Sequence, residues 1–183
     1  MMVNRMQHYL AISLSILAFT AMSVASERQS FPSPPKGRAA FSDIEFAYLA
    51  ARLHTGGIEI CKLEEARGTS AVLKALAAKI RDGQEHVRPV LIQHAKDAAR
   101  NPAIGVIDQQ MKDAHRNAMT RFKAARDEAV DREFVTEMIR LHEAMLELMK
   151  RSRLTDPALK TLADRIGTEH SEELVELRRL QAK

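Results

Sequence analysis

Residues 45–54 read EFAYLAARLH, and residues 133–142 read EFVTEMIRLH. Both segments begin with glutamate and phenylalanine and end with arginine, leucine and histidine. The similarity continues downstream, where four positions of the first copy correspond to four of the second: Leu73, Ala77, Ile80 and Gln84 to Leu159, Ala163, Ile166 and His170. A single helical hairpin cannot bury its apolar face, whereas two facing hairpins can. This internal repeat therefore predicts a bundle of two antiparallel helical hairpins.

The capping residues and the hydrophobic pattern of the first half predict helices with defined ends. Ser42 and Glu45 form a capping box at the start of the first helix, and Gly68 is suited to end it. A second helix is expected to start at residue 69 or 70 and to continue to about residue 98. Pro89 falls inside this helix and should bend it, because one backbone hydrogen bond is lost there.

The second half of the chain is also expected to be helical, so the predicted fold class is all-α. Asn101-Pro102 marks a turn. Residues 107–151 contain no helix breaker and form either one very long helix or two helices with a joint near Asp131. Asp156-Pro157 combines an N-cap residue with proline at the first helical position, which begins a last helix to about Leu180. Valine and isoleucine nowhere alternate with polar residues, so no strand is expected.

The chain divides into three predicted parts. Residues 1–25 have a basic start, an apolar run and the small residues Ser23-Val24-Ala25, which are typical of a secretory signal peptide cleaved after Ala25. Residues 26–41 are rich in proline and lack hydrophobic periodicity, so a disordered lead-in is expected. Residues 42–183 are expected to form the helical bundle domain. The mature protein is predicted to lie in the periplasm, without a stable membrane span after signal cleavage.

The charge and cysteine content narrow the possible partners. The chain has 28 lysines and arginines against 24 aspartates and glutamates, and the two signs are interleaved. Because no basic run with interleaved aromatic residues occurs, nucleic acid is not an expected partner. Cys61 is the single cysteine, so no intramolecular disulfide can form, and it is either buried, a metal ligand or joined to another chain.

Histidines and methionines share helical faces in this sequence, which indicates a metal site. Met138, His142, Met145 and Met149 are spaced by three or four residues, so they lie on one face of a helix. In the predicted bundle, His54 is the counterpart of His142, and Gln84 is the counterpart of His170. The candidate metal ligands are therefore His142, Met138, Met145 and Met149, with His54, Cys61 and His170 as further members. Thioether sulfur beside imidazole nitrogen suits copper, Cu(I) above all.

The same spacing is also that of an ordinary buried helix face. Methionine fills gaps in cores, and a histidine at the edge of a core can be satisfied by one hydrogen bond. A second set, Met111, His115 and Met119, has the same spacing and the same two interpretations. Packing and metal binding therefore remain open alternatives for both sets.

Enzymatic motifs are missing from the sequence. A di-iron carboxylate centre in a helical bundle needs glutamate three residues before histidine on two helices. No zinc-protease pair, nucleophile elbow or phosphate loop occurs either, so the protein is not expected to be an enzyme. The residues three positions before the candidate histidines are all non-acidic: Ala51, Gly83, Leu91, Lys112, Ile139 and Gly167.

Residues 131–142, DREFVTEMIRLH, resemble the signature of an exported, ferritin-like family of bacterial domains of unknown function that includes the CopM-type copper-binding proteins. Leu162-Ala163, Ile166 and Glu173-Leu174 fit the next part of that signature, with His170 where glutamine is usual. The resemblance implies a ferritin-like bundle and copper binding. Two features of the family signature, its paired histidines and its methionine, are altered in this chain. The family's paired histidines correspond to Leu53-His54 and Leu141-His142, and its signature methionine falls at Ile60 and Leu148, one residue before Cys61 and Met149.

A second ferritin-like family, of exported predicted outer-membrane proteins, is similar in length and layout. In that family, the segment that begins the third helix resembles residues 130–134 of this chain. Its single histidines resemble His142 and His170. The two family resemblances and the spacing of the histidines and methionines leave two possible functions. The first is a non-enzymatic periplasmic protein that sequesters or buffers copper. The alternative is a metal-free envelope protein that contacts a second copy of itself, as a homo-oligomer, or another envelope protein through its helix faces.

Overall fold

The fold is seen in a computed structural model that describes residues 31–34, 36–96 and 101–182. Within these residues there are five α-helices: α1 Asp43–Arg67, α2 Ala71–His94, α3 Pro102–Ala124, α4 Glu128–Lys150 and α5 Pro157–Gln181. The described chain contains no strand, and the pairing of Phe41 with Ser152 is an isolated bridge. The all-α prediction is confirmed.

The predicted ends of α1 are confirmed. Ser42 is the N-cap, and its backbone N–H donates to the Glu45 carboxylate at 2.9 Å, which gives the returning half of the capping box. Gly68 follows the last helical residue and donates to the Glu64 carbonyl. The next helix, α2, has Ser70 as its N-cap and runs through Pro89 to His94.

The region 107–151 contains two helices, with a joint earlier than predicted. The break falls at residues 125–127, where Asp127 adopts a positive φ of 50°. Its ψ of −133° lies outside the left-handed helical region that aspartate adopts readily, so the chain turns there through a strained conformation that favours glycine. Asp156 caps α5 by accepting a hydrogen bond from a first-turn amide, as the Asp-Pro pair predicts. Asn101, which was predicted only to mark a turn, caps α3 in the same way.

The predicted signal peptide, residues 1–25, lies outside the described residues, as does the start of the predicted lead-in, residues 26–30. Where the lead-in is described, Phe31 and Phe41 are buried and pack edge to face at 6.2 Å between ring centroids. Arg151 donates to the Phe31 carbonyl at 2.9 Å, so this segment is attached to the end of α4. None of the described helices is both long enough and apolar enough to cross a membrane.

The helices pack as two pairs around one core. Helix α1 packs on α2, α4 packs on α5, and the two pairs meet along α1 and α4. Helix α3 crosses between the pairs and contacts α1 and α4. The largest fully buried side chains of the core include Phe46, Leu49, Ile60, Phe134, Met138, Met145 and Leu148.

Two aspartates join the helix pairs by the same kind of contact. Asp131 of α4 accepts hydrogen bonds from the backbone and hydroxyl of Thr69 and from the backbone of Ser70, at the turn between α1 and α2. Asp43 of α1 accepts the corresponding bonds from Thr155 and Asp156, at the start of α5. Each pair of helices therefore holds the turn of the other pair, and this sets how far α1 is shifted along α4.

A second carboxyl group is buried beside Asp131. Glu64 has no exposed surface, and burial together with the neighbouring Asp131 carboxylate raises its pKa to about 8. Burial acts in the same direction on Asp131, but the hydrogen bonds from Thr69 and Ser70 outweigh it and hold that pKa below its ordinary value. Glu64 is therefore the member of the pair that carries a proton near neutral pH.

Glu64→Gln should make the protein less sensitive to pH. In the folded state Glu64 keeps a proton that the unfolded chain releases above its ordinary pKa of 4.5. The free energy of unfolding should therefore fall as pH rises from about 5 to 8, at about 1.4 kcal/mol for each unit of pKa difference. Urea unfolding at several pH values should show the variant gaining stability over the parent as pH rises. Glu172→Gln, at an exposed position of α5, should follow the parent curve, and a pH-independent difference for Glu64→Gln would contradict the assignment.

Candidate metal centre

Three histidines from three helices meet in the interior of the bundle. His54 of α1, His142 of α4 and His170 of α5 have at most 4% of their surface exposed. They lie on the buried faces of their helices, because each is three or four residues from a buried apolar residue of the same helix. The ring centroids of His142 and His170 are 4.4 Å apart, and the Nε2 atoms of His54 and His170 are 3.2 Å apart.

The orientation of His142 is determined by two partners. Its Nδ1–H donates to the Met138 carbonyl one turn earlier, at 2.7 Å, because a carbonyl oxygen can only accept. Its Nε2 then faces the Glu173 carboxylate of α5 at 2.9 Å. A proton or a metal ion is needed between this nitrogen and the carboxylate oxygen, since both are electron-pair donors when His142 is neutral.

His142, His170 and Glu173 each offer one potential metal-ligating atom, and these three atoms lie within 4.8 Å of one another. His54 adjoins this group through its contact with His170. Two atoms bound to one zinc or copper ion at about 2.0–2.1 Å are about 2.9–3.4 Å apart for bond angles of 90–110°. The observed separations of 2.9 Å between His142 and Glu173 and of 3.2 Å between His54 and His170 are of this size. Each of these two pairs therefore has the separation of two adjacent ligands of a first-row transition metal.

The cluster carries polar atoms that the described protein does not satisfy. The Nδ1 atoms of His54 and His170 are buried without a hydrogen-bond partner among the described residues, and so is Oε1 of Gln84. A buried unsatisfied group costs about 1–3 kcal/mol, which an apolar residue would avoid. Ordinary packing gives no reason to retain the two imidazoles of His54 and His170 at this cost.

Burial keeps the imidazoles of His54 and His170 neutral. It lowers the pKa of His54 to about 3, with the nearby His142 and Arg88 acting in the same direction. Burial, followed by His142 and His54, lowers the pKa of His170 well below its ordinary value. Neutral imidazole is the form that binds a metal ion, so protons compete weakly for these two residues.

A small crevice reaches the cluster between α2 and α5. It has a volume of about 10 Å³ and is lined by His54, Ile80, Gly83, Gln84, Val87, Glu169, His170 and Glu173. This space is close to the minimum that one water molecule needs. Gln84 lies against the backbone of α1, where a Cβ added to Gly57 would be 2.3 Å from its Oε1 atom. The site can therefore admit a single atom or ion and has no room for an organic substrate.

Of the predicted ligands, the histidines are brought together and Cys61 is not. Cys61 has no exposed surface and lies outside the compact group of donors found among the described residues. Burial raises the pKa of its thiol, and the carboxylates of Glu65 and Glu173 add to the effect. The protonated thiol is a poor metal ligand, so the structure places Cys61 in the core.

The three methionines of the predicted set are placed in packing positions. Met138 and Met145 have no exposed surface and belong to the hydrophobic core, and it is the backbone carbonyl of Met138 that contacts His142. Met149 is half-buried and packs on α5, where its terminal methyl group would be 2.6 Å from a Cβ added to Gly167. Their role as sulfur ligands stays a prediction.

The second methionine and histidine set lies elsewhere. Met111, His115 and Met119 of α3 are half-buried and line a cleft against α1 and α4. His115 contacts Glu59 of α1 at 2.7 Å through its Nε2 atom.

Glu173 is the site residue that the sequence analysis missed as a ligand. A di-iron centre has glutamate three residues before histidine on the same helix. In this chain the order is reversed, since Glu173 follows His170 by three residues on the same face of α5. The reversed spacing was therefore the signal that could have found this residue.

The double variant His54→Leu and His170→Leu should be more stable than the parent in buffer that contains a chelator. It replaces two buried imidazoles, each with an unsatisfied Nδ1, by apolar side chains of similar size. We expect a gain of about 1–3 kcal/mol in the free energy of unfolding, measured by urea denaturation. His86→Leu, at an exposed position of α2, should give no comparable gain. A loss of stability in the double variant would mean that the histidines serve the fold.

Comparison with known families places the chain in one of them. The model of a family described as "Domain of unknown function (DUF4142)" matches residues 27–180, which include all five helices up to the end of α5. Comparison with curated proteins and with solved structures gives no match.

Proposed function

Because the chain belongs to the DUF4142 family, whose description assigns no function, we propose a function from the buried cluster: a non-enzymatic copper-binding protein of the periplasm. Copper is the cargo of this protein, held for sequestration or buffering. The observation that carries the proposal is the convergence of His142, His170 and Glu173 in one compact group of potential ligand atoms, which His54 adjoins through His170.

The chemistry of the donors favours Cu(II). Imidazole nitrogen and carboxylate oxygen are borderline and hard ligands, and among the divalent first-row ions Cu(II) binds such sites most tightly. The hydrogen bond from Nδ1 of His142 to a backbone carbonyl is the kind of outer contact that fixes a ligating imidazole in place. The predicted sulfur ligands Met138, Met145 and Met149, by contrast, would favour Cu(I).

A binding role fits the site better than catalysis. The crevice that reaches the cluster holds about one water-sized species, so a metal ion and an organic substrate could not both be accommodated. The residues also offer no nucleophile with an adjacent base, since the Cys61 thiol is buried and protonated.

The arrangement of the bundle belongs to the same proposal. We regard the helix pairs as two copies of one ferritin-like hairpin, related by the repeat in the sequence. The matching contacts of Asp43 with Thr155 and of Asp131 with Thr69 support this view, as each aspartate holds the turn of the opposite pair. The repeat and the resemblance to CopM-type proteins together favour copper over other metals.

His142→Ala should abolish high-affinity copper binding and leave the helix content unchanged. Because it removes a ligand, the affinity should fall by more than the roughly 10–100-fold typical of losing an outer partner. We would measure competition with a chromogenic chelator for Cu(II), in parallel for Cu(I) under reducing conditions, with Zn(II) as the comparison ion.

Met145→Leu is the matched variant for this test, because it conserves volume and removes only the sulfur. It should leave Cu(II) binding unchanged. If Met145→Leu instead weakens Cu(I) binding while His142→Ala does not, the sulfur ligands are the site and the histidine cluster is not. If the parent competes for neither oxidation state, the metal-free function through helix-face contacts is favoured, and oligomeric state becomes the quantity to measure.

Glu173→Gln should lower the affinity for Cu(II) by about 10–100-fold without unfolding the protein. The amide keeps the shape of the side chain and loses the charge that faces Nε2 of His142. Glu172→Gln is the control, since it makes the same chemical change at the adjacent exposed residue. Isothermal titration with Cu(II) distinguishes the two, and equal affinities for both variants would remove Glu173 from the ligand set.

A further inference from the structure

Helix α3 has its buried residues near its two ends. They are Ile104, Ile107 and Asp108 near the start and Ala118 and Phe122 near the end. None of the residues from 109 to 117 is buried, although the half-buried His115 lies against Gly56 of α1. Beside this contact, the facing surface of α1 and α4 includes small residues such as Ala144, so a gap is left under α3.

The gap is a cleft of about 1000 Å³, which is at the upper end of the range for small-molecule sites. Its apolar lining runs along the cleft from the N-terminal segment to the later turns of α3: Phe31, Val106, Ile107, Leu53, Leu141, Ala144, Met111 and Met119. Exposed positions of α3, such as Val106 and Gln110, also line it, so the cleft opens to the surface. An elongated apolar ligand fits this shape.

The charges around the cleft are mainly positive. Among the described residues, Glu59 is the single acidic residue of the lining. Six lysines and arginines line the cleft: Lys36, Arg52, Lys112, Arg116, Lys123 and Arg140. Arg52 and Lys112 are paired with Asp108, Arg116 is paired with Asp113, and Arg140 is paired with Glu137. Lys36 and Lys123 form no ion pair with any described residue.

We propose that this cleft binds a long-chain fatty acid. Its alkyl chain lies along Leu53, Met111 and Leu141, over the apolar part of the lining. Its carboxylate lies near Lys123, which has no ion-pair partner among the described residues. Burying the chain supplies the affinity, and the lysine selects an anionic head group.

Filling the cleft should abolish binding. Ala144→Phe places a ring in the gap opposite α3, whereas Ala158→Phe adds the same ring at an exposed position of α5 away from the cleft. With the purified full chain, we would measure fluorescence of cis-parinaric acid and its displacement by palmitate. Saturable binding of one equivalent is expected for the parent and for Ala158→Phe, and none for Ala144→Phe. Equal binding by all three proteins, or no saturable binding by the parent, would overturn the proposal.

The head-group assignment has its own test. Lys123→Glu should weaken palmitate binding by about tenfold, as expected for the loss of one charge-assisted contact. Methyl palmitate, which lacks the charge, should bind the parent more weakly than palmitate and should not distinguish the parent from Lys123→Glu. Equal binding of acid and ester would overturn the placement of the carboxylate. His142→Ala should bind palmitate like the parent, so this result is independent of whether the buried cluster binds copper.

Discussion

The reciprocal aspartate contacts are the constraint on which the bundle depends. Asp43 and Asp131 each lie at the start of a helix and hold the turn of the opposite hairpin through three hydrogen bonds. These contacts leave α1 and α4 little freedom to slide past each other. His54 and His142 then lie about three helical turns beyond their aspartates, one on each of the two helices that form the centre of the bundle. The level at which the histidines meet is thus a result of contacts at the ends of the bundle.

The two helix pairs of the proposed repeat differ in the chemistry that they bring to the cluster. At the positions of the predicted repeat where the second half has His170 and Glu173, the first half has Gln84 and Val87. The carboxylate and the second imidazole of the site therefore come from α5 alone. Gln84 still faces the cluster through the crevice, held against Gly57. The pair α4 and α5 supplies most of the polar side chains of the cluster, and the pair α1 and α2 closes the space around them.

Much of the fold could be predicted from the sequence because local signals govern helix ends. Ser42, Asn101 and Asp156 act as caps in the structure, and Gly68 ends α1, each through hydrogen bonds to nearby backbone groups. The joint at Asp127 was harder to place, because an aspartate with positive φ has no distinctive sequence pattern. The contact of Glu173 with His142 depends on packing between α4 and α5, so the sequence indicates Glu173 only through its position three residues after His170. The cleft beneath α3 results from side chains that are too small to fill it, and composition gives no direct sign of such a gap.

The burial of the histidine cluster also determines how fast an ion could exchange with solvent. His142 has no exposed surface, and the crevice beside His54 and His170 holds about one water molecule. A hydrated ion is larger than this space, so its entry and departure would require α2 and α5 to separate, a collective motion on the microsecond-to-second timescale. The residence time of an ion would be set by the frequency of this opening as well as by the strength of its bonds. A partner that pries α2 from α5 would speed release without changing any ligand.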